Sequence, residues 1–108
     1  MRLLLAQLDL EYQRIPVDIF DGDTLADEYE RLNPRRETPV LQFEDGRVFI
    51  ESNAILWFLA SGTPLLSDER GAQAETLRWL IYEQTDVVPG IGGLRFRLVA
   101  WPELPRSA

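Results

Sequence analysis

One segment, residues 38–60, constrains the fold of this chain more than any other. Thr38-Pro39 opens a short apolar run, Asp45-Gly46 has the composition of a tight turn, and Val48–Ile50 forms a second apolar run. Two such runs joined by an Asp-Gly turn are a strong sequence signal for a β-hairpin. The sequence therefore predicts an antiparallel hairpin that turns at Asp45-Gly46.

A helix is predicted directly after the hairpin. Glu51-Ser52 leads into an apolar run that stops before Gly62, and glycine is the usual residue just past a helix C-terminus. Backbone N–H groups and the positive end of the helix dipole gather at the helix N-terminus. With a carboxylate and a hydroxyl beside them, this place suits a small zwitterion that carries both an ammonium and a carboxylate.

Composition excludes several kinds of chemistry. The 108 residues include no Cys and no His, so a disulfide framework, a zinc site of the usual ligands, dithiol redox chemistry and a Ser-His-Asp triad are excluded. The net charge of −7 argues against a nucleic-acid partner and against an anionic membrane. The length is that of one domain. Every basic residue is Arg, which is typical of a GC-rich genome.

The first residues predict a helix that begins without a capping residue. A stripe of leucines starts directly after the initiator methionine, which is typical of the middle of a longer helix. It consists of Leu3, Leu4, Leu5, Leu8 and Leu10. Met1–Ala6 resembles the start of a signal peptide, but Gln7 and Asp9 interrupt it. No apolar run reaches the roughly 18 residues that span a bilayer. A cytoplasmic location is therefore expected.

Between this helix and the hairpin, the sequence predicts an edge strand. Apolar residues alternate with polar ones at Ile15, Val17 and Ile19, and Pro16 restricts such a strand to a sheet edge because it lacks a backbone donor. Residues 21–23 predict a turn.

A short helix should follow this turn. Thr24 and Asp27 have the spacing of a capping box, and Pro34 sets the end of the helix near Asn33. The spacing of Leu25, Tyr29 and Leu32 is also helical.

The last part of the chain is predicted to be a linker followed by helices. Two breakers between Gly62 and Asp68 indicate the linker, so the domains are assigned to residues 1–62 and 63–108. Asp68 and Glu69 are placed in the first turn of a new helix, which Pro89–Gly93 is expected to break or kink. Its apolar side carries Ala74, Leu77, Leu80, Ile81 and Val88. A further short helix over 94–101 and a loose tail over 102–108 complete the prediction.

The order Thr38-Pro39-Val40-Leu41, then Glu51 to Leu56, resembles the glutathione-binding half of the glutathione S-transferase family, of bacterial type. The resemblance covers nearly the whole chain. It implies an α+β fold: a thioredoxin-like N-terminal domain that lacks its first strand, followed by the first helix or two of an all-α domain. The chain then looks cut at both ends. The implied activity is attack of the glutathione thiolate on a small electrophile.

The resemblance also implies how glutathione would be held. Ser52 matches the residue that binds the γ-glutamyl carboxylate, and Glu51 matches the acidic residue that receives the ammonium. Thr38 and Pro39 match the step at a cis proline whose backbone pairs with the cysteinyl part. Taken from the residues alone, Ser52 is a simple helix N-cap and Glu51 complements the helix dipole.

Residues 35–37 depart from the family pattern. Members often carry Gly and then Lys or Gln where this chain has Arg36 and Glu37. Arg36 could reach the glycyl carboxylate, whereas Glu37 would repel it. Solvated surface charge is an equally good interpretation of all three residues.

The resemblance assigns no catalytic residue and no metal. Family enzymes activate the thiol with a Tyr, Ser or Cys that would precede Met1, and neither Tyr12 nor Tyr29 matches that position. Trp57, Phe58 and Trp79 are interpreted as a cluster that packs in the core or between domains; an electrophile pocket is the weaker alternative.

Three functional hypotheses remain open at this stage. The first is a glutathione transferase with a small electrophilic substrate, forming a homodimer as the family does. The second is a non-catalytic fragment that binds glutathione or a partner chain. The third is a mis-started or degenerate reading frame without a function of its own.

Overall fold

A two-stranded antiparallel hairpin forms the sheet in this computed structural model, which describes residues 1–100. Strand β1 is Val40–Gln42 and strand β2 is Val48–Ile50, with Val40 opposite Ile50. The turn is closed by a bond of 3.0 Å from the Gly46 N–H to the Phe43 carbonyl. Gly46 has φ +87°, a left-handed conformation that glycine adopts without steric cost. The predicted hairpin and its turn are confirmed.

Besides a π-helical stretch, six helical segments precede or follow the hairpin in residues 1–100. They are α1 (Arg2–Gln7), a 3₁₀ turn (Asp23–Leu25), α2 (Asp27–Leu32), α3 (Ser52–Ala60), α4 (Arg70–Tyr82) and α5 (Leu94–Ala100); a π-helical stretch, Glu83–Gly93, joins the last two. Helix α3 ends at Ala60, two residues before Gly62, whose φ of +74° confirms the predicted stop. The chain divides into two compact units, Met1–Leu66 and a second that begins at Ser67.

The core of the first unit lies where α1 and β2 pack against α3. Ile55 on α3 is fully buried, with 0% of its surface exposed, and Leu5 on α1 is buried beside this helix. On the hairpin side, the Phe58 ring stacks on Phe49 with a centroid distance of 4.4 Å and meets Phe43 edge-on at 5.7 Å. These contacts fix the angle at which α3 leaves the hairpin.

Two predictions for the segment before the hairpin are wrong. Residues 10–18 form no strand, because the hairpin is the sheet of the described chain and offers Val17 no neighbour in register. Thr24 does not cap a helix: it is buried inside the 3₁₀ turn, and α2 begins only at Asp27 with Ala26 at its N-cap. The predicted turn at 21–23 is present, with Gly22 at φ +86°.

The predicted aromatic cluster is only partly right. Phe58 does pack, but on Phe43 and Phe49 of the hairpin. Trp79 belongs to the second unit, is 55% exposed and meets the Tyr82 ring edge-on at 5.8 Å. The assignment of residues 1–62 and 63–108 to two domains of a longer protein stays a prediction.

In the second unit, Glu69 caps α4 rather than lying in its first turn. Its carboxylate accepts bonds from the Gly71 and Ala72 N–H groups at 2.7 and 2.6 Å, and these two bonds lower the pKa of Glu69. The prediction of a break or kink over Pro89–Gly93 is only partly right: the α geometry ends at Tyr82, but the chain remains helical in π geometry from Glu83 to Gly93. Wider turns relieve the clash between a proline ring and the preceding turn that would break an α-helix. Helix α5 confirms the expected short helix as far as residue 100; Trp101 and the tail lie outside the described residues.

Within residues 1–100, no helix combines the length and the apolar character that crossing a bilayer requires.

Candidate functional site

The hairpin register brings the two halves of the predicted site to the same end of the sheet. Val40 is the first residue of β1 and Ile50 is the last residue of β2, and these two are paired. In an antiparallel pair, the residues just outside this pair approach each other as well. Thr38-Pro39 therefore enters the hairpin beside the point where Glu51-Ser52 leaves it.

The Glu51 backbone makes the turn from β2 into α3. Glu51 has φ +69° and ψ +115°, a conformation that residues other than glycine rarely adopt. Its carbonyl accepts the Ile55 N–H at 3.0 Å and so starts the helix, while its exposed side chain makes no capping bond to the helix. Ser52 is the first residue of α3, so the interpretation of Ser52 as a simple N-cap is wrong.

The Thr38-Pro39 peptide bond is cis, as the resemblance implies. Thr38 is exposed, and Pro39 is half-buried at the entrance to β1. An exposed residue next to a strand is able to pair its backbone with a peptide ligand.

A buried asparagine, which the sequence analysis did not single out, holds the loop before Thr38 in place. Asn33 is only 2% exposed, and its amide nitrogen donates to the Glu37 carbonyl at 2.7 Å. Its amide oxygen accepts the Arg35 N–H at 3.0 Å. The Tyr29 hydroxyl donates to the same Glu37 carbonyl at 2.8 Å. The signal in the sequence is an Asn that directly precedes the helix-ending Pro34, a position where Asn side chains bond to the following backbone.

The two arginines of this loop are both paired with carboxylates. Arg36, at φ +57°, directs its guanidinium to Glu30 at 2.7 Å. Arg35 contacts Glu37 through Nε and Nη2 at 3.0 and 3.3 Å, and its Nε also lies 3.3 Å from a Glu51 carboxylate oxygen. Arg35 thus connects the loop before Thr38 to Glu51, the acidic residue of the site.

The tyrosines differ in their surroundings. Partial burial raises the pKa of the Tyr29 phenol, which keeps this group protonated as a donor to the Glu37 carbonyl. Tyr12 is 47% exposed and lies in the irregular segment after α1. Among residues 1–100, no group of three or more acidic side chains is arranged to hold a metal ion.

Comparison with known proteins identifies the class to which this fold belongs. The family model described as "Glutathione S-transferase, N-terminal domain" matches residues 1–61, more than half of the chain. The first unit therefore has the thioredoxin-like fold of that domain, with a small two-stranded sheet. The chain belongs to the glutathione S-transferase family.

Solved structures agree with this assignment over nearly the whole chain. A glutathione S-transferase from Pseudomonas fluorescens is 39% identical with a TM-score of 0.88, and the match covers 96% of this chain and 51% of that one. A possible glutathione S-transferase from Rhodopseudomonas palustris is 41% identical with a TM-score of 0.83, over 96% of this chain and 45% of that one.

The curated relatives are also longer than this chain. Protein URE2 of Eremothecium gossypii is 33% identical over 115 aligned residues, which cover 97% of this chain and 32% of the relative. The chain thus spans about a third of that relative and about half of the two solved structures.

The Asn33 anchor yields a stability prediction. Asn33→Ala should lower the free energy of unfolding by about 1–3 kcal/mol, because it removes two part-buried hydrogen bonds, one to the Glu37 carbonyl and one from the Arg35 N–H. Tyr29→Phe should cost less, about 0.5–1.5 kcal/mol, because Asn33 still donates to the Glu37 carbonyl. Urea denaturation monitored by circular dichroism measures both changes.

Tyr12→Phe is the matched control for Tyr29→Phe, since the Tyr12 side chain is exposed. We expect it to change stability by no more than about 0.5 kcal/mol. An Asn33→Ala protein as stable as the Tyr12→Phe control would refute the anchoring role.

Proposed function

We propose that this chain supplies the glutathione-binding part of a glutathione transferase, which presents the glutathione thiolate to a small electrophile. Glu51 binds the ammonium of the γ-glutamyl group, and Ser52 with the first N–H groups of α3 binds its carboxylate. The Thr38 backbone, ahead of Pro39, pairs with the cysteinyl part. Arg36 binds the glycyl carboxylate after its guanidinium leaves Glu30. No metal takes part in this scheme.

One observation carries the proposal: the register of the hairpin. The pairing of Val40 with Ile50 supports an arrangement in which a peptide-like ligand contacts Thr38 with its backbone and Glu51-Ser52 with its charged end. The electrostatics support it too, because a carboxylate is stabilised at a helix N-terminus and an ammonium beside a carboxylate. Cytosolic conditions keep thiols reduced, so we place this activity in the cytoplasm, which cell fractionation tests.

The first prediction concerns affinity for glutathione. Ser52→Ala removes a hydroxyl that donates to a charged carboxylate, and such bonds contribute about 1.5–3 kcal/mol. Glutathione should therefore bind the Ser52→Ala variant roughly tenfold more weakly, or worse, in isothermal titration calorimetry.

Ser61→Ala is the control, since Ser61 follows the other end of the same helix and donates to the Trp57 carbonyl at 2.7 Å. Its affinity for glutathione should equal that of the wild type. Equal affinities for the Ser52→Ala and Ser61→Ala variants would refute the assignment of the γ-glutamyl site.

A second candidate function is a glutathione-binding or partner-binding chain without catalysis of its own. The observation that favours it is the Tyr29 hydroxyl, which donates to the Glu37 carbonyl at 2.8 Å. A thiol without an activating donor keeps a pKa near 8.5, so only a few per cent is thiolate at neutral pH.

A polypeptide of these 108 residues should accordingly bind glutathione but conjugate it slowly. The measurement is the rate of conjugation to an aryl halide at pH 7, with the uncatalysed rate as the reference. Turnover far above that reference would decide for the enzyme and against the non-catalytic candidate.

The proposed assembly is a homodimer. Large apolar side chains of the second unit are exposed, and exposed apolar patches of this kind drive association. They include Leu77, Trp79, Ile81, Ile91 and Leu94. Each hairpin strand also has an outer edge that the described sheet does not pair.

Light scattering over a range of protein concentrations should report a mass at least twice that of one chain. A mass of one chain at every concentration, together with a single cooperative melt, would contradict the dimer.

A further inference from the structure

A three-residue charge cluster, Arg35 with Glu37 and Glu51, lies at the centre of the candidate site. Arg35 Nε is 3.0 Å from Glu37 Oε2 and 3.3 Å from Glu51 Oε1. Arg35 Nη2 donates to Glu37 Oε1 at 3.3 Å. The three side chains are each more than half exposed, at 62, 55 and 54%, so solvent and a ligand reach all of them.

Arg35 holds the two carboxylates unequally. Glu37 is contacted by two nitrogens of the guanidinium in a fork geometry, with Nε at 3.0 Å, whereas the same Nε lies farther from Glu51, at 3.3 Å. The pKa of Arg35 is raised by the hydrogen bond to Glu37 first, then by the charge of Glu37, and after these by the charge of Glu51. Of the two contacts, the one to Glu51 is therefore the easier to give up.

The cluster is also one positive charge short of balance. Two carboxylates share one guanidinium, and the neighbouring cation, Arg36, is paired with Glu30. A second cation placed against Glu51 would give each carboxylate its own partner. A primary ammonium, with three donors and a compact charge, fits that requirement.

We infer that Arg35 is a specificity-determining residue, whose guanidinium occupies the position at Glu51 that the ligand ammonium takes on binding. This inference rests on the proposed glutathione function. Binding exchanges the Arg35–Glu51 ion pair for an ammonium–Glu51 pair, while Arg35 stays on Glu37. Arg35 thereby neutralises Glu37, which would otherwise repel the glycyl carboxylate of the same ligand. A ligand without the ammonium leaves Arg35 on Glu51 and gains nothing from that carboxylate.

The test compares two ligands on one variant. Glutathione and its N-acetyl derivative, acetylated on the γ-glutamyl amine, carry the same two carboxylates, so the ratio of their Kd values isolates the ammonium. Arg35→Gln removes the competing charge and keeps a long polar side chain. Exposed ion pairs contribute little, so the ratio of the N-acetylglutathione Kd to the glutathione Kd should rise by about two- to fivefold.

Two further variants make the result specific. Arg47→Gln is the matched control, because Arg47 pairs with Asp45 at 2.7 Å at the turn end of the hairpin, and the ratio should stay at its wild-type value. Arg35→Lys keeps the charge but not the fork geometry, so its ratio should lie between those of the wild type and Arg35→Gln.

The outcomes separate this inference from the function on which it rests. If glutathione binds but the ratio in Arg35→Gln is unchanged or lower, Arg35 does not compete with the ammonium and the inference is overturned alone. If the wild type does not bind glutathione at millimolar concentration, the proposed function fails and the inference fails with it.

Discussion

The antiparallel pairing of β1 with β2 is the constraint on which the rest of the first unit depends. It fixes Val40 opposite Ile50 and so sets where the chain enters and leaves the sheet. Side chains alternate between the faces of a strand, so a slip of one residue would turn the strand residues to the opposite face. The same slip would separate Phe49 from Phe58, whose rings stack at a centroid distance of 4.4 Å. Helix α3 would then lose this packing contact with the hairpin.

Polar contacts then position the site residues that the hairpin brings together. The loop before the cis proline has no regular structure of its own, and two side chains, Tyr29 and Asn33, hold a single carbonyl within it. Buried polar groups need hydrogen-bond partners of this kind. Leaving such a group without a partner destabilises the fold by more than the hydrogen bond stabilises it. Arg35 extends this ordering from the loop to Glu51. The candidate site thus consists of a hydrogen-bonded loop, held by Tyr29 and Asn33, and of charged side chains on its surface.

Local signals account for the parts of the fold that were predicted correctly from the sequence. The Asp45-Gly46 turn, the α3 helix and its end at Gly62 each follow from turn chemistry or from the conformational freedom of glycine. The predictions that failed depend on distant partners. The alternation of apolar and polar residues from Ile15 to Ile19 is only a preference for strand structure, and without a neighbouring strand no backbone pairing forms. Thr24 lies in a 3₁₀ turn although its spacing to Asp27 suits a capping box.

The same distinction applies to the candidate site. Glu51, Ser52, Thr38 and Pro39 could be predicted as site residues because they follow one another around the hairpin in a recognisable order. Asn33 and the Arg35–Glu51 contact were missed, since one acts through main-chain groups and the other joins residues 16 positions apart. Side-chain geometry of this kind becomes visible only when the loop conformation is known.

The backbone of Glu51 has a consequence for how this chain can evolve. A residue at φ +69° and ψ +115° is strained unless it is glycine, by an amount on the order of 1–3 kcal/mol. Selection for folding alone would therefore favour glycine here, and selection for a carboxylate opposes it. Under the proposed function, stability and ligand binding conflict at this one position, and a chain without that task would be more stable with glycine there.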